Sequence, residues 1–197
     1  MMKAVSIALC LALAPALGVA ADFSDPDWPC IQRKVEKLSA GLMWPHPVTR
    51  VDLTPEAEEL AAVLALRRVS LEEAETHVRT FLEKQAADEQ LLGSIFYTVF
   101  DKLSSDRQRL LGGIARYSRS QIALSEKIDA ERIEMAKLTA ENAPDFDRID
   151  KLAEEMDWNE RIYLDRSRAL TYVCETPVLL EKRVYAVAQL LLKHLPQ

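Results

Sequence analysis

Hydrophobic residues recur at helical spacing through the second half of the chain. Along two long stretches, separated near Pro144, they alternate at steps of three and four residues. This repeat is typical of long helices that pack against one another along a seam. The first stretch carries Leu103, Leu110, Ile114, Tyr117, Leu124, Ile128, Met135 and Leu138, interrupted by Arg107, Gln121 and Glu131. The second stretch carries Ile149, Leu152, Met156, Tyr163, Leu170 and Val173, interrupted by Asn159 and Arg166.

The two stretches predict a long antiparallel helical hairpin over residues 105–174. Pro144 separates them, and Asp145 is the expected N-cap of the second helix. A connection this short forces the two helices to run in opposite directions. The tip is expected at residues 139–149, with Phe146 exposed. We expect the seam to be internal core, and the alternative is a hairpin that projects from the body and binds a partner.

Capping residues and prolines mark the remaining helices and divide the chain into six. Ser, Thr and Asp side chains accept hydrogen bonds from the free backbone N–H groups of a first helical turn, and proline is tolerated there. The predicted helices are 55–68 after Thr54 and Pro55, 70–87 with the Ser70–Glu73 capping box, 88–103 after Asp88, one beginning at Ser105, one after Asp145, and 177–195 after Pro177. The short helices therefore occupy residues 55–103. The wide apolar face of residues 177–195 predicts that this C-terminal helix packs into the core.

Residues 22–54 differ in composition from the rest of the chain. They contain prolines at positions 26, 29, 45 and 47 and tryptophans at positions 28 and 44. Such a segment is expected to be ordered but irregular and to lie against a helical body, with a short helix at 31–39. Elsewhere glycines are few and alternating β-branched stretches are missing. The predicted fold class is all-α: a helical bundle with a long, coiled-coil-like antiparallel hairpin and an irregular N-terminal segment.

The first 21 residues have the features of a cleavable signal peptide. Lys3 precedes an apolar run from Ala4 to Leu17, and small residues follow up to Ala21. The run is shorter than the roughly 20 residues of a membrane-spanning helix, and no later run is long and apolar enough to span a membrane. We therefore expect cleavage after Ala20 or Ala21. Residues 22–197 are expected to form a single helical domain that is periplasmic or secreted.

Removal of a signal peptide would leave two cysteines, Cys30 and Cys174. In an oxidising compartment, two cysteines of one small domain usually form a disulfide bond. We predict that Cys30 and Cys174 pair within the chain, and an intermolecular bond or free thiols are the alternatives. The chain-entropy description gives such a bond about 5 kcal/mol as an upper figure.

No catalytic, cofactor-binding or metal-binding residues are predicted. The three histidines, His46, His77 and His194, are far apart in the sequence and lack the spacing of zinc, di-iron or haem ligands. The chain also lacks a Gly-x-Ser-x-Gly nucleophile motif and a glycine-rich phosphate loop. The net charge is −6 with both signs interspersed, so no nucleic-acid partner is expected.

These features favour a non-enzymatic interaction protein of the cell envelope, such as an adaptor, an assembly factor or a chaperone. The expected partner is another protein, and the sequence does not define the oligomeric state. The alternative is a helical bundle that binds a small apolar molecule, haem or a metal. The residues that could line such a cavity are Met43, Met135, Met156, Tyr117 and Tyr163. An enzyme of unfamiliar type is a third and weaker hypothesis.

Overall fold

A computed structural model describes residues 25–86 and 88–195, and this part of the chain is helical without β-strands. The helices are Pro55–Ala65 (α1), Leu71–Lys84 (α2), Glu89–Thr139 (α3) and Phe146–Leu192 (α4), with a short 3-10 turn at Ala40–Leu42. The two long helices pack against each other as a hairpin. The all-α prediction and the hairpin are therefore confirmed. The predicted signal peptide, residues 1–21, lies outside the described residues.

Each α-helix begins at the capping residue that the sequence predicts. Thr54 accepts a hydrogen bond from the Ala57 N–H, and Asp88 accepts one from the Leu91 N–H. Ser70 and Glu73 form a reciprocal capping box at the start of α2. At the start of α4 the Asp145 carboxylate accepts from the backbone N–H of the third helical residue. Local side-chain hydrogen bonds thus determine where the four helices start.

The predicted division of the first long helical region at Ser105 is wrong. Helix α3 continues without a break from Glu89 to Thr139 and so includes the predicted 88–103 helix. Serine is a moderate helix former that caps a helix only where backbone N–H groups are free. Here Leu103 is buried in the body core and Arg107 is buried one turn later. Packing on both sides of Ser105 therefore maintains the helical backbone through it.

The predicted start of a separate helix at Pro177 is also wrong. Helix α4 runs through Pro177, which is itself buried. An internal proline removes one backbone hydrogen bond and costs about 3 kcal/mol. Cys174 before it and Leu180 and Val184 after it are all buried. Burial on both sides offsets the cost of the proline, so the hairpin extends past the predicted limits of 105–174.

The body of the protein is built around one hydrophobic core. It contains α1, α2, the first part of α3 and the last part of α4. Trp44, from the irregular segment, stacks on Phe96 of α3 with ring centroids 5.2 Å apart. The segment also lies so close to α3 that a Cβ atom at Gly93 would be 2.5 Å from Cγ2 of Val48. Glycine at this position therefore allows the irregular segment to pack directly on the helix.

The predicted helix at residues 31–39 does not form. Arg107 is buried, and its guanidinium donates hydrogen bonds to the backbone carbonyls of Val35 at 2.5 Å and Glu36 at 3.4 Å. Burial lowers the pKa of Arg107, and Glu181 at 3.9 Å partly opposes that effect. A carbonyl that accepts from α3 is held away from the geometry of a local helix. Residues 33–39 instead have no regular secondary structure, and the next element is the 3-10 turn at Ala40–Leu42.

Beyond residue 119 the two long helices leave the body, and we call residues 120–166 the arm. Twenty residues of helix on the α3 side give the arm a length of about 30 Å. Among the described residues, the hydrogen bonds and ion pairs of the arm stay within α3, α4 and the turn that connects them, and none reaches α1, α2 or the irregular segment. None of the described helices is long and apolar enough to span a membrane.

Candidate interaction surface on the helical arm

A disulfide bond lies where the arm joins the body. Cys30 and Cys174 are both buried, with an S–S distance of 2.02 Å and Cα atoms 5.5 Å apart. Trp28 and Ile114 pack with the bond in a small second core. The predicted pair is therefore present, and it joins the irregular segment to α4 at the base of the arm.

The seam of the arm is a narrow row of side chains with a polar layer in the middle. Ile128, Leu138 and Leu152 are buried between the helices, as the three-and-four spacing predicts. Asn159 donates from Nδ2 to both carboxylate oxygens of Glu131, at 2.8 and 3.1 Å. A buried polar pair of this kind is satisfied in one register only, so it specifies how α3 and α4 align.

Ion pairs flank the seam on both sides. Arg132 of α3 contacts Glu160 of α4 at 2.7 Å, and this hydrogen bond raises the pKa of Arg132. On the other side Arg148 contacts Glu134 at 2.5 Å. In the heptad notation abcdefg, with a and d at the seam, Arg132 and Glu160 both occupy e positions, and Glu134 and Arg148 both occupy g positions. Pairing of e with e and of g with g is the pattern of antiparallel helices. These exposed pairs add little stability, and their main effect is on orientation and register.

Large apolar side chains are exposed on one side of the arm. Leu164 is 53% exposed and Phe146 is 70% exposed. Eighteen residues, or five helical turns, separate them, so both lie on one side of α4. Ile122 of α3 is also exposed and lies beside Leu164, because the neighbouring Gln121 donates to the Tyr163 carbonyl at 3.2 Å. We call the surface formed by Ile122, Leu164 and Phe146 the Leu164 face.

A shallow groove runs along the Leu164 face between the two helices. Its volume is about 310 Å³. The residues that line it are Ser125, Ile128, Asp129, Arg132, Glu160, Tyr163 and Leu164. The groove thus has an apolar floor from the seam and charged residues of both signs at its edges. A surface of this composition suits the apolar side of another amphipathic helix.

The opposite side of α4 carries a different exposed aromatic residue. Trp158 is 61% exposed, and Tyr172 follows it fourteen residues later on the same side of the helix. The sequence contains three tryptophans, and the other two, Trp28 and Trp44, are buried. Among the described residues, Trp158 is therefore the tryptophan whose side chain is largely exposed.

The residues proposed from the sequence to line an internal cavity are divided between the body and the two long helices. Met43 packs against the body core, whereas Met135 lies in the arm. Met135 is 32 residues beyond Leu103 on α3, a distance of about 48 Å along the helix. Tyr117 donates a hydrogen bond to the Arg166 carbonyl at 2.6 Å, and its burial raises the pKa of its hydroxyl.

The three histidines lie apart and have local roles. His46 contacts Glu89 at 2.9 Å at the start of α3, and His194 contacts Glu75 of α2 at 2.9 Å. His77 is exposed on α2. Within residues 25–86 and 88–195 no three His, Cys, Asp or Glu side chains are grouped as metal ligands would be.

Sequence reasoning did not single out Ile122, Leu164 or Trp158. These residues lie outside the seam positions, so the three-and-four repeat does not include them. The signal available was the presence of large apolar residues at outward positions of a two-helix arm. Comparisons of the chain with protein-family models, with curated proteins and with solved structures found no match.

Proposed function

We propose that this chain is an exported, non-enzymatic interaction protein of the cell envelope, acting as an adaptor, an assembly factor or a chaperone. The observation that carries the proposal is the Leu164 face, where three large apolar side chains are exposed along an arm that leaves the body. Exposed apolar residues aligned on a surface are typical of protein-binding sites. The Cys30–Cys174 disulfide supports export to an oxidising compartment.

The geometry of the face favours an amphipathic helix of the partner as the bound element. Leu164 and Phe146 lie about 27 Å apart along α4, which matches a partner helix of about 18 residues. Such a helix would place residues at steps of three and four into the groove between α3 and α4. Asp129, Arg132 and Glu160 at the groove edges would then contact its polar flanks.

Site-specific photo-crosslinking in the cells that produce the protein tests this proposal. A photoreactive residue at position 164 samples the Leu164 face. The matched control is position 165, because Asp165 is the next residue of α4 and is exposed in the row of Trp158 and Tyr172. We expect position 164 to yield one discrete adduct with an envelope protein, and position 165 to yield none. The Ile122→Ser substitution should reduce the adduct at least fivefold while circular dichroism stays unchanged.

Three results would contradict the proposal. Equal adducts at positions 164 and 165 would indicate random collisions. Adducts at position 165 alone would place the partner on the opposite side of the arm. An adduct with a second copy of this chain would replace an adaptor function with self-association.

A further inference from the structure

A second concave surface lies on the body, away from the arm. It is a groove of about 620 Å³ between the α1–α2 connection and the C-terminal part of α4. The residues that line it are Arg67, Arg68, Leu71, Leu179, Lys182, Arg183 and Ala186. We call it the cationic groove. The groove is open to solvent, and its volume is large enough for a small molecule that leaves part of its surface exposed.

The charge of the groove is opposite to that of the protein as a whole. Four of its seven lining residues are cationic and none is acidic, although the chain carries a net charge of −6. Among the described residues, no carboxylate forms an ion pair with Arg67, Arg68 or Lys182. A concave surface whose charged lining residues are all cationic concentrates a positive potential and attracts anions.

Arg183 adds a buried positive charge to the wall of the groove. Its side chain is 8% exposed. Its Nε donates to the Leu64 carbonyl and its Nη1 to the Val69 carbonyl, each at 2.8 Å, while Nη2 lacks a hydrogen-bond partner in the described part of the chain. Burial alone lowers the pKa of Arg183, with no acidic residue opposing the shift. A buried cation without a counter-ion is costly, and a bound anion nearby would relieve that cost.

The comparison with Arg107 shows that Arg183 differs in lacking a counter-ion, since in the described residues each arginine has one buried nitrogen without a hydrogen-bond partner, Nε of Arg107 and Nη2 of Arg183. Both guanidinium groups are buried and both donate to two backbone carbonyls. Arg107, however, has the Glu181 carboxylate at 3.9 Å, which raises its pKa against the effect of burial. Arg183 has only the cations of the groove as charged neighbours on its lining. The fold thus supplies a counter-ion to one buried arginine and leaves the other to an external anion.

The apolar part of the groove restricts the kind of anion. Leu71 and Leu179 are each 45% exposed, and Ala186 extends the apolar wall along α4. An inorganic ion would leave this apolar surface in contact with water. A molecule with an alkyl chain would cover it and gain about 25 cal/mol for each Å² buried.

We propose that the cationic groove binds a small amphiphilic anion. Its carboxylate or phosphate head lies among Arg67, Arg68 and Lys182, beside the buried charge of Arg183. Its alkyl chain lies on Leu71 and Leu179. Free fatty acids and lipids with a single chain and a phosphate head share this chemistry. The ligand is taken up by the body and does not require the Leu164 face.

Calorimetric titration of the full chain tests the proposal, with dodecanoate and dodecyl phosphate as probes below their micelle concentrations. We expect both to bind with one-to-one stoichiometry. Neutral dodecanol should bind at least tenfold more weakly, because it lacks the charge. Inorganic phosphate should also bind at least tenfold more weakly, because it cannot cover Leu71 and Leu179.

Variants separate this groove from general attraction to surface cations. The Arg67→Gln/Arg68→Gln/Lys182→Gln variant should lose at least tenfold in affinity for dodecanoate. The matched control is Arg79→Gln/Arg161→Gln/Arg168→Gln, which removes the same number of exposed cations outside the groove and should bind as the wild type does. Arg183 is left intact, because its hydrogen bonds to Leu64 and Val69 hold α1 and α4 together. Leu179→Ser should weaken dodecanoate while leaving phosphate unchanged.

Four outcomes would overturn the proposal. Equal binding of dodecanol would show a purely apolar site, and equal binding of inorganic phosphate would show a site for the head alone. Unchanged affinity in the triple variant would place the ligand elsewhere. Binding to vesicles of anionic phospholipid without any binding of the monomeric probes would show a membrane-surface patch instead of a small-molecule site.

Discussion

The body and the arm are built from the same two long helices but are stabilised differently. In the body, α1, α2 and Trp44 enclose α3 and α4 in a closed core. In the arm α3 and α4 pack only against each other among the described residues. Their buried seam is a single row of side chains that includes Glu131 and Asn159. A helix that is continuous in hydrogen bonding can therefore differ in local stability along its length. The closed core therefore contributes most to the stability of the body, whereas the arm exposes more of its surface to solvent.

The largest expected effect compares the same truncation at two positions of α3. Leu92 is fully buried in the body, whereas Leu138 is buried near the tip of the arm. Leu92→Ala should lower the free energy of unfolding by about 3–5 kcal/mol, because the closed core cannot collapse around the cavity. Leu138→Ala should cost about 2 kcal/mol or less, because the tip can relax into solvent. Urea denaturation measures both, and equal losses would contradict the comparison.

The disulfide joins the two regions and gives the next effect. Cys30→Ser should lower the free energy of unfolding by about 2–5 kcal/mol, because the unfolded chain gains freedom. Limited proteolysis should then cut first within residues 25–54, since Cys30 holds that segment to α4. Cys174→Ser and the double variant should behave as Cys30→Ser does. A Cys30→Ser variant that melts at the same temperature as the oxidised wild type would show that the bond contributes no stability.

The polar layer of the arm gives a smaller effect with a change of sign. Asn159→Leu alone should cost about 1–3 kcal/mol, because the buried Glu131 carboxylate loses its two hydrogen bonds from Asn159 and keeps only the Lys127 ammonium at 3.4 Å. The Glu131→Leu/Asn159→Leu variant should be at least as stable as the wild type, because an apolar pair fills the layer. A double-mutant cycle by urea denaturation measures the coupling. A double variant as unstable as the sum of the single changes would contradict this account of the seam.

The smallest expected change is a gain in stability at Gly112, close to the base of the arm. Gly112 has open space around it, with only the flexible end of Arg116 at 3.5 Å from a Cβ atom. Gly112→Ala should therefore add up to about 1 kcal/mol through helix propensity. Gly93→Ala is the contrasting variant, because its Cβ atom would overlap Val48 and destabilise the body. Thermal unfolding should show opposite shifts in the two midpoints, and shifts of the same sign would refute the packing described at Gly93.

Much of the fold follows from local signals in the sequence. The caps at Thr54, Ser70, Asp88 and Asp145 and the seam of the arm depend on residues within a few turns of one another, so their patterns are readable. The disulfide follows from the number of cysteines left beyond the predicted signal peptide. These predictions succeed because each needs little knowledge of distant parts of the chain.

The predictions from sequence are wrong where contacts with distant residues determine the local structure. Residues 31–39 lack a helix because Arg107, some 70 residues further on, holds the Val35 and Glu36 carbonyls. Pro177 fails to start a helix because packing on both sides of it maintains α4. The two candidate sites were missed for the same reason. The cationic groove forms only when Arg67 and Arg68 meet Lys182 and Arg183, and the Leu164 face depends on two helices being aligned.

The position of the disulfide also has a mechanical consequence. The arm is about 30 Å long, so a tilt of about 10° at its base would displace the tip by about 5 Å. Cys174 lies near the base of the arm, where its bond to Cys30 joins a third segment of the chain to the two helices. Reduction of this bond is expected to increase the displacement of Phe146 relative to the body, although no residue of the arm changes. We therefore expect the position of the tip relative to the body to vary more in the reduced protein than in the oxidised protein.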